Sequence, residues 1–416
     1  MKYQSLRGMR DILPGETPLW QKIESAVHEI FRRFGYSEIR TPLLEKTELF
    51  SRSIGGSTDI VSKEMYTFTD KGDRSVTLRP EETAPVVRAA IENNLISADK
   101  LTKLYYIGPM FRYERPQAGR LRQFHQAGVE AIGSTSPLLD AEVILLGIRF
   151  FEGLGIKGLE VDMNSVGCPK CRPGYIKKLK SFLKEQFDAL CRDCRTRYET
   201  NPLRVLDCKN EECSTVLSKA PALSASLCEN CAGSLESARG LLSDMGIKTS
   251  LNNRLVRGLD YYTGTTFEIV SRQLGSQSAL CGGGRYDGLI EELGGPKLPA
   301  VGFAIGIERL IMLLKEQKIA DKGTGSKFVY LAALGPGSQK EAFLIMNRLR
   351  SGGIRADMDH TGKSLKSCLK TASQLQADYT VIIGDEELSR KAAIIKDMKT
   401  GEQKEAAFER IIEEIK

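Results

Sequence analysis

The stretch Leu255–Val270, LVRGLDYYTGTTFEIV, has the apolar and aromatic content of a strand, yet its first half carries Arg257, Asp260 and the pair Tyr261 and Tyr262. A glycine-rich run, CGGGRYDGL, follows at Cys281–Leu289. An arginine beside an apolar run commonly snorkels or pairs with an acid. A planar, permanently charged fork next to two phenols can equally hold a carboxylate or a phosphate. The rest of the chain has to decide between these readings.

The chain has 416 residues, 41% of them hydrophobic and 27% charged, which allows two or three domains with ample cores and excludes a disordered class. A net charge of +7 permits a polyanionic partner without requiring one. No uninterrupted apolar run approaches the roughly 20 residues of a membrane span. The opening MKYQSLRGMRDILPGE lacks the apolar segment of an export signal. A cytoplasmic protein without membrane contact is the expectation.

Around the opening stretch, the texture is that of a sheet domain. Leu19, Ile23, Val27, Ile30, Phe31 and Phe34 recur at helical spacing, and GYSEIRTPLLE reads as a short strand stopped by Pro42. Met65–Leu78 alternates about the turn DKGD as a hairpin, and a helix is expected over Glu81–Asn94. Two strands, Lys103–Arg112 and Gln126–Ile132, flank an arginine-rich loop, and Asp140–Leu154 reads as a helix. From Cys168 to about Met245 the pattern turns helical and cysteine-rich, then strand-like texture returns at Ile247, which is the mark of an insertion. Pro299–Lys315 reads as a small-residue strand running into a helix, and Lys318–Ser326 as a linker. Beyond it, strands and helices alternate as in a small α/β domain with a mainly parallel sheet.

Several polar residues stand out. Arg112, Arg115, Arg120 and Arg122 crowd one loop with Glu114 among them. Read alone this is a solvated basic loop, but Arg112 at the end of an apolar strand also suits a clamp on phosphate oxygens. Arg309 opens a helix after the run GFAIG; alone it is a surface group. Glu81, Glu82 and Thr83 start a helix, where acids complement the helix dipole or could receive an amino group.

The segments LRPEETA, FRYERPQ, RQFHQAGVE, LVRGLDYYTGTTFE, CGGGRYDGL and AVGFAIGIERL, in this order, resemble the histidyl-tRNA synthetases, a family of class II aminoacyl-tRNA synthetases. The resemblance implies an α+β catalytic domain, residues 1–320, with an antiparallel sheet flanked by helices. A mainly helical cysteine-rich insertion, 165–247, interrupts it, and a C-terminal α/β anticodon-binding domain spans 327–416. The class-defining segments fall on Pro42, on Arg112 with Glu114, and on Arg309, and they imply a homodimer.

Carried over by residue, Glu81, Thr83 and Gln126 would hold the α-amino group of L-histidine, while Glu130 and Tyr262, with Tyr261 nearby, would read its imidazole. Glu130 can accept a ring N–H, and a phenol can donate or accept. Arg257 would approach the amino-acid carboxylate and the α-phosphate of ATP, with Arg112 gripping that phosphate from the other side. Arg120 and Arg309 would steady the outer phosphates, Glu114 would join the ATP site, and Gly282, Gly283 and Gly284 with Tyr286 would floor it. Arg257 and Arg112 would carry catalysis together with Mg²⁺. Arg115 and Gln117 are the candidates to meet the end of tRNA-His, and Lys363, Lys366 and Lys370 would share a helical face toward its backbone or toward solvent. One departure is visible: the family commonly has glycine at the position of Glu82, and an added carboxylate is expected at the pocket lip.

Eight of the ten cysteines lie in the insertion. Cys168 and Cys171 precede Cys191 and Cys194 by a spacing that suits a four-cysteine zinc site, and Cys208 and Cys213 with Cys228 and Cys231 offer a second set. One or two structural Zn²⁺ sites, or reduced packing thiols, are the alternatives, and spacing does not fix the pairing. Non-catalytic chains resembling this family typically lack the C-terminal domain and the RGLDYYT-like positions, both present here. A pure tRNA-binding protein would not need Arg112, Arg257 and Arg309 together.

Overall fold

The computed structural model describes residues 3–55, 58, 60–117, 119–271, 279–317, 319 and 327–415. The chain divides into two compact units, Met1–Asp321 and Lys322–Lys416. The expected linker, 318–326, lies outside the described residues apart from Ile319. No helix among the described residues is long and apolar enough to cross a membrane.

The first unit is built on an eight-stranded sheet in the spatial order Ser37–Glu38, Thr102–Phe111, Gln123–Ile132, Ala300–Gly306, Ala279–Arg285, Thr263–Ser271, Leu159–Ser165 and Thr249–Leu251. The six inner strands are antiparallel and only the two edge strands pair in parallel. Side chains alternate between the faces of a strand, and here the alternation sorts two environments. One face presents Val129, Phe267, Ile269, Val301, Phe303 and Ile305 to the helices Thr17–Arg33, Pro137–Gly153 and Ile307–Glu316. Each such buried side chain contributes about 1.5–3 kcal/mol. The other face packs Leu104, Tyr106, Met110 and Ile132 against the helix Thr83–Glu92 at one end, and elsewhere carries glycines and a few polar residues that floor a cleft.

Of the opening stretch, only Thr263 onward is strand; Leu255–Tyr262 is an irregular loop lying over the cleft-side face. Its apolar residues are buried without a ladder, Leu255 in the loop and Val256 in the core of the insertion. That insertion core is made by Tyr175, Leu179, Leu183, Val205, Leu206 and Leu217 together with cysteines. The last insertion helix, Glu229–Asp244, instead packs Leu235, Ala238 and Leu242 into the main core.

The second unit has a five-stranded sheet in the order Arg355–Met358, Phe328–Ala333, Tyr379–Ile383, Ala392–Asp397 and Gln403–Ala407. The first three strands are parallel and the last two join antiparallel, so the sheet is mixed where the sequence suggested mainly parallel. The strand Ala392–Asp397 returns through a short turn to Gln403, which leaves no room for the crossover helix that a parallel strand needs.

Candidate active site and cysteine clusters

A cleft of about 860 Å³ opens over the sheet, walled by the loop Leu255–Tyr262, the loop after Phe111 and part of the insertion. Register explains its floor. Glu130 stands opposite Gly302, Gln126 opposite Gly306 and Glu268 opposite Gly282. A side chain at Gly302 would occupy the space of the Glu130 carboxylate, and one at Gly282 would overlap the Arg257 guanidinium. The glycines therefore clear room for charged groups that converge on one face.

Glu130 is fully buried and accepts hydrogen bonds from Thr83 Oγ1 at 2.9 Å and from the Tyr286 hydroxyl. Burial pushes its pKa up to about 8, against the downward pull of those two donors. Glu81 accepts from the backbone N–H groups of Thr83 at 2.7 Å and Ala84 at 3.0 Å, so it caps the helix Thr83–Glu92 while lining the cleft. Both readings of this acid, helix complement and pocket wall, hold at once. Tyr261 stacks at a tilt on Tyr262 with ring centres 4.8 Å apart and is set edge-on to Tyr286.

Arg257 reaches across the floor to Glu268, its Nη1 2.5 Å from the carboxylate, and its guanidinium lies near the Tyr262 ring. Its Nε is buried without a partner among the described residues, as is Gln126 Oε1. Buried polar atoms left unpaired cost about 1–3 kcal/mol each, so both are poised to bond something the free chain lacks. At the other end of the cleft, Arg112 donates from Nε to the Pro80 carbonyl at 2.8 Å and lies over the Phe124 ring. Arg120 faces Glu114 at 3.5 Å. Burial and the neighbouring charges of Arg120 and Arg112 lower the Arg309 pKa, so these three guanidiniums repel one another across one space. An anion would relieve that repulsion.

Most of the residues singled out in sequence thus meet in one cleft. The exceptions are informative. Gly283 and Gly284 do not line it: a side chain at Gly283 would strike the Gly302 carbonyl, Phe267 and Phe303, so this glycine serves close packing of strands. Glu82 is not at the pocket lip. It turns away into a buried ion pair with Arg79 at 2.7 Å and accepts from Thr41 Oγ1 at 2.7 Å. Arg115 and Gln117 are exposed on the adjoining loop, outside the cleft lining. In the second unit, Lys366 and Lys370 are exposed one turn apart on the helix Leu365–Gln374, but Lys363 precedes that helix and does not share its face.

Three participants were not singled out as partners in the sequence: Tyr286 on Glu130, Glu268 on Arg257, and Glu308. The last accepts from the His125 backbone N–H at 3.0 Å and contacts its ring Nδ1 at 3.0 Å, which fixes the residue beside Gln126. Glu268 carries a weak signal as the one charged residue on the strand TGTTFEIVS.

The cysteines form two quartets whose sulfurs all lie within 4.8 Å of one another: Cys168, Cys171, Cys228 and Cys231, and Cys191, Cys194, Cys208 and Cys213. The pairs are therefore nested, outer with outer and inner with inner, and the sequential grouping suggested by spacing does not occur. All eight are free thiols. Cys191 and Cys208 line the cleft.

A family model described as histidyl-tRNA synthetase matches residues 8–310, and one described as anticodon binding domain matches 329–416. A histidine-tRNA ligase of Desulfitobacterium hafniense is 52% identical over 405 residues, 97% of this chain and 96% of that protein. One from Halothermothrix orenii is 52% identical over 415 residues, 100% of this chain and 99% of its own. The solved apo histidyl-tRNA synthetase of S. aureus aligns with a TM-score of 0.83 at 37% identity, covering 99% of each chain. With a family model matched over residues 8–310 and relatives about half identical over nearly its full length, this chain belongs to the histidyl-tRNA synthetase family.

Proposed function

We propose that the chain is a histidine-tRNA ligase that activates L-histidine with ATP and transfers it to the 3′ end of tRNA-His, with the cleft residues in the following roles. Glu130, held by Thr83 and Tyr286, accepts a ring N–H of the imidazole, and Tyr262, beside Tyr261, meets the other ring nitrogen. Gln126, Glu81 and Thr83 take the α-ammonium. The histidine carboxylate lies toward Arg257, which also meets the α-phosphate. Arg112 grips that phosphate from the opposite side, and Arg120 and Arg309 take the outer phosphates.

In the first step a carboxylate oxygen of histidine forms a bond to the α-phosphorus as the bond to the β-phosphate oxygen breaks, and pyrophosphate leaves. In the second, the terminal ribose hydroxyl of the tRNA attacks the carbonyl carbon of the adenylate, loses its proton, and AMP departs. Neither step needs a protein nucleophile. The chain supplies alignment and fixed positive charge where negative charge gathers. Glu114 and Glu268 are hard oxygen donors in the cleft and suit Mg²⁺ shared with phosphates, which would neutralise their charge. Both cysteine quartets suit structural Zn²⁺, which takes four thiolates.

The observation that carries this reading is the pair of buried, unpartnered atoms Gln126 Oε1 and Arg257 Nε, an acceptor and a cationic donor in the lining of one cleft. An amino acid's ammonium and carboxylate supply what each lacks. On the tRNA side, Arg115 and Gln117 would meet the acceptor end and Lys363, Lys366 and Lys370 the backbone near the anticodon. A homodimer is supported by exposed apolar side chains around the Pro42 segment, with Leu43 41%, Leu44 45% and Phe68 48% exposed. A cytoplasmic location accords with the ATP and tRNA that the reaction uses. Charging of a tRNA-His transcript with labelled histidine tests the reading: histidine esterified to tRNA-His and not to a tRNA of another identity supports it, and an uncharged transcript rejects it.

A further inference from the structure

We propose that the inner quartet, Cys191, Cys194, Cys208 and Cys213, holds a zinc ion that positions the loop Leu255–Tyr262 for histidine, so that amino-acid recognition depends on the metal; this rests on the histidine-activating reading. The geometry of both quartets fits the ion. Neighbouring sulfurs stand 3.8 Å apart for Cys168 with Cys171 and with Cys228, and 3.9 Å apart for Cys171 with Cys231 and for Cys191 with Cys208. A tetrahedron of sulfurs about 2.3 Å from a central zinc has edges of about 3.8 Å. A disulfide would bring two sulfurs to about 2.05 Å.

Around the inner quartet the cysteines are built into the core of the insertion, beside Leu190, Val205, Leu206 and Leu217. The elements there are short, Arg192–Thr200, Pro202–Asp207 and Glu211–Leu217, and Cys194, Cys208 and Cys213 themselves make up much of the buried apolar material. A metal held by all four thiols would cross-link these short elements and add to that small core. Cys191 sits at the N-cap of its helix, and its backbone N–H donates to Cys213 Sγ at 3.2 Å, which ties the two ligand pairs together.

This segment grips the loop from one side. Asn201 Nδ2 donates to Asp260 Oδ1 at 2.6 Å, directly before Tyr261 and Tyr262. Arg254, at the loop's entry, donates to the Cys208 carbonyl at 3.3 Å, the Leu206 carbonyl at 3.4 Å and Ser214 Oγ at 3.0 Å. Arg254 thus bonds a ligand's own backbone, and Asn201 lies between the two pairs of inner cysteines. Asn201 and Arg254 are positioning residues: the groups they fix are the tyrosines and Arg257.

The test combines metal content with amino-acid kinetics. Protein purified without added metal is expected to carry two zinc ions per chain, and exchange with Co²⁺ to give the absorption of tetrahedral thiolate sites. Cys208→Ser should retain one zinc and raise KM for histidine in pyrophosphate exchange. Asn201→Ala should keep both ions and the wild-type circular dichroism, yet raise KM for histidine about tenfold, as loss of a charge-assisted hydrogen bond predicts, with a smaller rise in KM for ATP through Arg257. Fewer than one zinc per chain with no cobalt spectrum overturns the proposal, as does Asn201→Ala with unaltered KM for histidine. Absence of histidine-dependent exchange in the wild type removes the coupling along with the functional reading, while the cobalt spectrum still judges the metal sites separately.

Discussion

Glu130→Gln keeps the shape of the side chain and removes its charge, which separates two effects that the site combines. In the folded protein the carboxyl is buried, bonded only to the hydroxyls of Thr83 and Tyr286, and its pKa is raised to about 8. A raised carboxyl pKa means that the fold holds the proton more tightly than the unfolded chain. The group's contribution to stability is therefore complete below the ordinary carboxylate range, near pH 4.5, and is lost as pH rises through about 8. Glutamine never ionises, so the ligand-free variant should melt above the wild type at pH 9, with the gap closing toward pH 5. Activity should move the other way. Above about pH 8, where the wild-type side chain is a carboxylate, its hydrogen bond to the imidazole N–H contributes about 1.5–3 kcal/mol, so Glu130→Gln should lower kcat/KM for histidine roughly 10- to 100-fold there. Thermal melts across pH and histidine-dependent pyrophosphate exchange measure the two arms. A variant with kcat/KM at pH 9 within about twofold of wild type, and a melting difference that does not change with pH, would refute the reasoning.

Gly282→Ala should disable Arg257 by steric overlap, so exchange falls steeply, and the loss in Gly282→Ala/Arg257→Ala should be little more than in Arg257→Ala alone because both act on one guanidinium. Additive losses would place the glycine's role elsewhere. Glu82→Gly restores the residue usual in the family but leaves Arg79 buried with only backbone carbonyls and Thr41 as partners; breaking such a pair costs about 3–5 kcal/mol, seen as a lower denaturant midpoint. An unchanged midpoint would mean the pair is neutral here. Lys366→Ala/Lys370→Ala should weaken tRNA binding uniformly and flatten its salt dependence, read by filter binding between low and physiological salt, while leaving pyrophosphate exchange intact.

The sheet was legible in part: apolar Val129, Phe267 and Phe303 beside polar or small Glu130, Glu268 and Gly302 mark the core face, although most strands are buried on both faces along part of their length. The cleft residues were legible mainly through the family resemblance, since Arg257 or Arg309 alone reads as an ordinary charged group. What the sequence withheld depends on contacts between distant positions. Tyr286 meets Glu130 from 156 residues away and Glu308 meets His125 from 183, and no local pattern announces such pairs. Glu82 looked like a pocket residue because its neighbours are; only the fold shows its side chain turned to Arg79. The cysteine pairing failed to follow spacing because the insertion folds as a closed loop, whose ends meet while its middle folds on itself. Lys363 was misplaced by helix phase: the helix begins at Leu365, two residues too late to include it.

The central claim is that Arg257, at the start of the irregular loop, serves histidine activation. ATP–pyrophosphate exchange, run with each of the twenty amino acids on wild type and Arg257→Ala, tests it most directly. The account predicts exchange with histidine alone, abolished in the variant. Folded protein with Mg²⁺ present that exchanges with no amino acid, or a variant that exchanges as well as wild type, would contradict it.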